Sequence, residues 1–171
     1  GFRVDHYNEA IGEAVRMAVK FGLGFGDMRL RALVTHLTAG RLDVTGGVPI
    51  TTIDTPNAPR WSGLFTADLD AGRLSALASV RLIGASRNDP DRADTDLQDN
   101  RLPAVAYANL TLRYDLGSGP TPPFQIFARV NNIFNTDPPI SPKRPSSYNE
   151  PVNLAYDTIG RYYTAGVRAR F

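Results

Sequence analysis

The sequence predicts an all-β fold, an antiparallel up-and-down sheet of the transmembrane-barrel type. Three observations carry this. Apolar and polar residues alternate with period two along about seven segments, the periodicity of a strand with one apolar face. Those segments run to roughly ten residues, longer than the ~5–6 usual in soluble sheets and near the span of a tilted bilayer-crossing strand. The connections between them alternate between short and long, the pattern of turns on one side of a membrane and loops on the other.

The segments follow in chain order. Val15, Met17, Val19 and Phe21 alternate with Ala14, Arg16, Ala18 and Lys20. Leu30, Ala32 and Val34 alternate with Arg29, Arg31 and Thr35. Trp61, Gly63, Phe65, Ala67 and Leu69 alternate with Ser62, Leu64, Thr66 and Asp68. Leu74, Ala76, Ala78, Val80 and Leu82 alternate with Arg73, Ser75, Leu77, Ser79 and Arg81. From Ala106 to Leu116 the even positions are apolar, and the odd ones carry Tyr107, Asn109, Thr111, Arg113 and Asp115. Phe124, Ile126, Ala128 and Val130 alternate with Gln125, Phe127, Arg129 and Asn131. Tyr163, Ala165, Val167, Ala169 and Phe171 alternate with Thr164, Gly166, Arg168 and Arg170. A helix would wrap those arginines around both faces, whereas a strand keeps them on one. Short connections fall at Gly22 to Asp27, Asp70 to Gly72 and Gly117 to Pro123. Long ones run from about Thr38 to Pro59, Gly84 to Arg101 and Asn135 to Thr158.

Aromatic residues sort by position. With strand directions alternating back from an inward-running last strand, Phe21, Tyr114, Phe124 and Phe171 fall at the short-turn ends. Trp61, Phe134 and Tyr163 fall at the long-loop ends, so the outward face gains a girdle at each interface. Arg161 and His36 break the outward parity, both near the long-loop rim, where a lipid-face charge costs only ~0–1 kcal/mol.

Composition narrows the function classes. The 171 residues are 42% hydrophobic and 21% charged, enough for one domain, too polar for a helical membrane protein and too apolar for a disordered chain. Without cysteine there is no disulfide framework, thiolate zinc site or cysteine nucleophile, and His6 and His36 are the only histidines. A net charge of +2 does not call for a nucleic-acid partner. Lys20 and Lys143 are the only lysines, and arginine supplies every other cation. Gly1 in place of Met, with no basic and apolar leader, predicts that the natural start lies elsewhere.

Catalytic motifs do not occur: H-E-x-x-H, G-x-S-x-G and the Walker A pattern are all missing, which predicts a protein that is not an enzyme and holds no cofactor or metal. The run from Asp89 to Asp96 fails the EF-hand test, with Ala93 at position 5, Asp94 at the glycine position and Asn100 at position 12. It reads better as a solvated loop balanced by Arg87, Arg92 and Arg101. Arg16, Arg29, Arg31, Arg73, Arg81, Arg113, Arg129, Arg168 and Arg170 recur on the non-lipid parity and would line a lumen. There they either draw anionic ligands inward or pair with carboxylates of whatever fills the barrel.

The run Phe124-Gln-Ile-Phe-Ala-Arg-Val-Asn-Asn-Ile-Phe-Asn135, then Asp137-Pro-Pro139, then Tyr156 to Phe171, resembles the C-terminal end of TonB-dependent outer-membrane receptors. Asn131-Asn-Ile-Phe134 would close the penultimate strand, and Gly160-Arg161 would open a last strand ending in Phe. Leu30 to Leu37 and Pro59 to Gly63 are similar to upstream strands of that family, whereas Gly1 to Glu13 has no counterpart. The resemblance implies about seven strands of a 22-stranded barrel from a Gram-negative bacterial outer membrane, residues 1–171 forming its C-terminal part without plug domain, TonB box or signal peptide. The whole receptor would take up a scarce ligand, most often a ferric siderophore, driven by TonB through the missing N-terminal region. Its partners would be the rest of the same chain, the barrel assembly machinery and the bilayer. Tyr163, Ala165, Val167, Ala169 and Phe171 resemble the assembly signal of barrel strands. Arg41, Asp54, Arg87, Arg92, Lys143, Arg144, Tyr148 and Tyr156 become ligand-contact candidates by their place in the long loops.

Asn131 and Asn132 read as strand terminators whose amides satisfy backbone groups at the rim. Gly160 and Gly166 read as gaps on the lumen side where another backbone packs close. The alternatives are a soluble β-sandwich binding module or a plugless outer-membrane porin.

Overall fold

A computed structural model describes residues 7–43, 47–92, 100–117, 124–140 and 155–169. The chain is all-β. Its main strands are β1 (Tyr7–Leu23), β2 (Gly26–Asp43), β4 (Trp61–Ala71), β5 (Leu74–Ile83), β8 (Val105–Leu116), β9 (Phe124–Asn131) and β10 (Tyr162–Ala169). Between them lie the two-residue strands β3 (Ile50–Thr51), β6 (Ser86–Arg87) and β7 (Arg101–Leu102). The main strands form one antiparallel meander in the order β1-β2-β4-β5-β8-β9-β10, with β3 hydrogen-bonded to β2 and β6 paired with β7. β1 and β10 are the edges; among the described residues nothing pairs them with each other.

The register is what gives the sheet its two faces. Across the meander Val19 pairs with Leu30, Leu30 with Ala67, Ala67 with Ala78, and Ala78 with Leu110. Leu110 then pairs with Val130, and Val130 with Tyr163. Directly paired residues share a face. The apolar parity of every segment therefore lands on one side, and the arginines of the same segments land on the other. A slip of one residue in any pairing would have broken this.

No second layer covers the apolar face among the described residues. Val15, Met17 and Val167 are 59%, 61% and 66% exposed, and Phe65, Leu82, Leu112 and Ile126 are exposed too. The buried core lies elsewhere, at the long-loop end, where Ile83, Val105, Tyr107 and Tyr156 pack together with Ala155 against them.

The ends of the sheet differ as the connections do. At one end Gly24-Phe25 joins β1 to β2 and Gly72-Arg73 joins β4 to β5. Gly72 has φ 67°, the positive value that a tight two-residue hairpin asks of its first central residue. Gly26 packs where a side chain could not: a Cβ there would lie 2.8 Å from the Cα of Ala71. The three long connections gather at the other end.

Several boundaries depart from the sequence reading. β1 starts at Tyr7 and β2 runs on to Asp43, so Arg41 is a strand residue paired with Glu9 and Thr51. The register shifts between Ile11 and Gly12, leaving Thr38 as an extra residue in β2. This bulge changes the face of every later β2 residue and hides the continuation from a period-two reading. Arg73 lies in the β4–β5 turn rather than on a strand, and Phe134 lies in a turn beyond β9. Arg161 precedes β10 and its guanidinium donates to the Ile133 carbonyl at 3.2 Å, so it is not a charge on the apolar face. Gly166 faces no neighbouring backbone; the ring of Phe127, its cross-strand partner, lies over it.

Candidate functional site

The polar face and the loops above it bring together most of the residues singled out from the sequence. Arg16, Arg29, Arg31, Arg81, Arg113, Arg129 and Arg168 occupy polar-face register positions on the main strands. Arg31 reaches Asp68 at 3.4 Å and Lys20 reaches Asp27 at 2.9 Å. Exposed pairs of this kind contribute ~0–1 kcal/mol and serve mainly to place charge. The Arg81 guanidinium stands 5.4 Å from the centroid of the buried Tyr107 ring, a cation–π arrangement across β5 and β8. Arg170, like Phe171, Lys143, Arg144 and Tyr148, lies outside the described residues.

The long loops are fastened to one another. Asp54, at φ 62°, accepts a backbone hydrogen bond from Arg87 on its carbonyl at 2.7 Å. Its carboxylate lies 3.7 Å from Nε of Arg87 and 3.8 Å from Nε of Arg60. Asp54 and Arg87 therefore hold each other, tying the β2–β4 loop to the β6–β7 hairpin. Arg92 pairs with Asp89 at 3.4 Å. Asn100, buried, accepts from the Asp89 amide at 2.9 Å and donates to the carbonyls of Asp89 at 3.1 Å and Arg92 at 3.3 Å. Asp91 accepts from both the amide and the hydroxyl of Thr51. Among the described residues no three acidic or histidine side chains gather as a metal site.

Tyr156 is buried in the small core with Ile83, Val105 and Tyr107, so it packs the β9–β10 connection onto the sheet. Beneath the loops, Leu33, Leu64, Pro56, Pro59, Arg81 and Ile83 help line a cavity of about 280 Å³. Thr35, Asn57 and Ser62 add polar groups to that lining. The β9 terminus is closed by Asn132, fully buried at φ 49°. Its side chain donates to the Thr136 carbonyl at 2.9 Å and accepts from the Thr136 amide at 2.8 Å, and its own amide donates to Asn109 Oδ1 at 3.0 Å. Asn135 accepts the Arg161 amide at 2.9 Å. From the sequence, Asn100 and Asp91 enter only as positions of the failed calcium-loop pattern and Arg60 only inside the run from Pro59 to Gly63; their loop-fastening contacts are not foreseen there. A short polar side chain in a loop carries no periodic signal, and only the fold shows which backbone it reaches.

The aromatic residues form two tiers on the sheet. Phe21, Tyr114 and Phe124 stand toward the short-turn end, Trp61 and Tyr163 toward the long-loop end, and Phe134 lies exposed at that same end. His36, the cross-strand partner of Trp61, stacks on its indole with centroids 4.0 Å apart and planes 15° apart. The histidine at the end of the apolar band is thus covered by the ring beside it. Comparison with protein-family models, with curated proteins and with solved structures returns no match.

Proposed function

We propose that this chain is part of the wall of an outer-membrane β-barrel, and that the whole protein is a TonB-dependent receptor taking up a scarce ligand such as a ferric siderophore. The observation that carries the reading is the single apolar face, aligned by register across the whole meander and left uncovered. A dozen or more large apolar side chains on it stay substantially in water. Removing what remains exposed would stabilise the molecule by on the order of 10–20 kcal/mol, comparable with the entire stability of a domain. Such a face is covered in the working molecule. Hydrocarbon suits it better than a second sheet because its aromatics sit in two tiers. Along β1 the band from Val15 to Leu23 spans nine residues, the number a tilted strand needs to cross a bilayer. Beyond Val15 the same parity turns to Glu13, opposite His36, which ends the band where the tier of Trp61 begins.

The receptor assignment rests further on the C-terminal motif resemblance and on the division between short turns and long, fastened loops. The loops and the basic face beneath them would meet the ligand, the bilayer would meet the apolar face, and the remaining strands would pair with β1 and β10. Ala165→Arg and Thr164→Arg in the full-length protein test the membrane face. Ala165→Arg sets a charge toward lipid, costing ~2–4 kcal/mol near the midplane, and is expected to lower the amount recovered in outer-membrane fractions. Thr164→Arg adds a cation to the polar face, opposite Arg129, and is expected to lower recovery far less. Equal recovery of the two variants would refute the assignment of faces. Loss of growth under iron limitation on deleting the gene, restored by the intact gene, tests the ligand class.

A further inference from the structure

We propose that the polar face carries an oxyanion-binding site in the pocket between β5, β8, β9 and β10, with Arg113, Arg129 and Arg168 as its donors. The inference stands on the polar face alone and holds whatever covers the apolar one. The pocket measures about 280 Å³, and all three guanidinium-bearing residues line it, with no carboxylate among the lining residues. The ladder explains the convergence. Arg113 is directly opposite Phe127, Arg129 is two residues along β9 from Phe127, and Arg168 is two residues along β10 from Gly166. Phe127 and Gly166 are themselves cross-strand partners, and the phenyl ring lies over the glycine, where a Cβ would come within 2.8 Å of Cζ. The ring thus forms an apolar floor with three arginines around it.

Among the described residues, counter-charge is what the site lacks. Elsewhere on the same face Arg31 has Asp68 and Lys20 has Asp27. Asp115, two residues along from Arg113, instead accepts a hydrogen bond from Gln125 Nε2 at 2.7 Å and does not line the pocket. Among the described residues no carboxylate pairs with Arg113, Arg129 or Arg168. Three like charges around one pocket repel, and a group with several anionic oxygens relieves the repulsion while accepting paired hydrogen bonds from each planar fork. The chemistry is that of a phosphate or carboxylate, supplied either by a small molecule or by an acidic side chain of a protein segment lying over this face.

Phenylglyoxal labelling of the full-length protein in detergent, read by mass spectrometry, tests the site without altering the chain. Arg16 and Arg29, on the same face but outside the pocket, serve as references, with sodium chloride at matched ionic strength as control. Selective slowing of Arg113, Arg129 and Arg168 by inorganic phosphate, several-fold beyond any effect at the references, supports a free small oxyanion as occupant. Slower labelling of the three than of the references without phosphate, unchanged when it is added, supports a carboxylate of the protein itself. Labelling of the three at the reference rates, with phosphate making no difference, overturns the proposal.

Discussion

Gly166 and Asn132 each hold a place that a different side chain could not. The Phe127 ring fills the space above Gly166, so Gly166→Ala must push the ring aside or separate β10 from β9. Overpacking of this kind costs ~1–3 kcal/mol, and the cost should shrink when Phe127→Ala is already present. Thermal unfolding of the two single variants and the double variant in detergent measures the coupling; identical penalties in both backgrounds would show that the ring is not the cause. Asn132 combines a positive φ, full burial and two hydrogen bonds to Thr136. Asn132→Ala leaves the amide and carbonyl of Thr136 short of partners and puts alanine where asparagine and glycine are favoured, a loss of ~2–4 kcal/mol. Asn132→Gly keeps the backbone conformation but not the bonds, so it should unfold at a temperature between the parent and Asn132→Ala.

At the scale of elements, what could be read from the sequence was whatever repeats. The seven long strands, their apolar parity and the alternation of short and long connections all follow from period-two patterning over many residues. What could not be read depends on single contacts. The bulge at Thr38 exchanges the faces of β2 beyond it, so Arg41 looked like a loop residue although it is a ladder residue. β3, β6 and β7 have two residues each, too few to show a period. Tyr156 is a ligand-contact candidate by its place in a long connection, yet it is buried against Ile83 and Tyr107. Arg87 and Asp54, chosen as separate candidates, are partners. The loops are therefore fastened to one another by their own side chains, and Asn100 is one of the fasteners, binding Asp89 and Arg92 from the far end of their loop. Asn100→Ala should raise the rate of proteolytic nicking near residues 89–100 in the native protein and leave cleavage elsewhere unchanged. A nicking pattern identical to the parent would mean that the loop is held by other contacts.

For the molecule as a whole, the exposed surfaces determine the conditions under which it can persist. Among the described residues, two edge strands present unpaired backbone donors and acceptors, β1 over a length of 17 residues and β10 over 8. An uncovered apolar face adjoins both. Edge and face together make a template for adding further strands: neither edge strand carries a proline, and Glu13, on the apolar parity of β1, stands beyond the apolar band rather than within it. The small core at the long-loop end is too local to hold seven strands flat in water, because it touches β5 and β8 and leaves β1 and β10 without support. The 171-residue chain on its own should therefore aggregate in detergent-free buffer. In micelles the apolar face would be covered while the edges stayed open, so strand-rich oligomers should persist there. Strands supplied by a longer chain would close both edges and yield a single species. Sedimentation and circular dichroism of the chain in buffer, in micelles and within the full-length protein separate these cases. A stable, monodisperse chain in buffer alone would mean that the apolar face has found a cover within these residues, and the membrane-wall reading would fall with it.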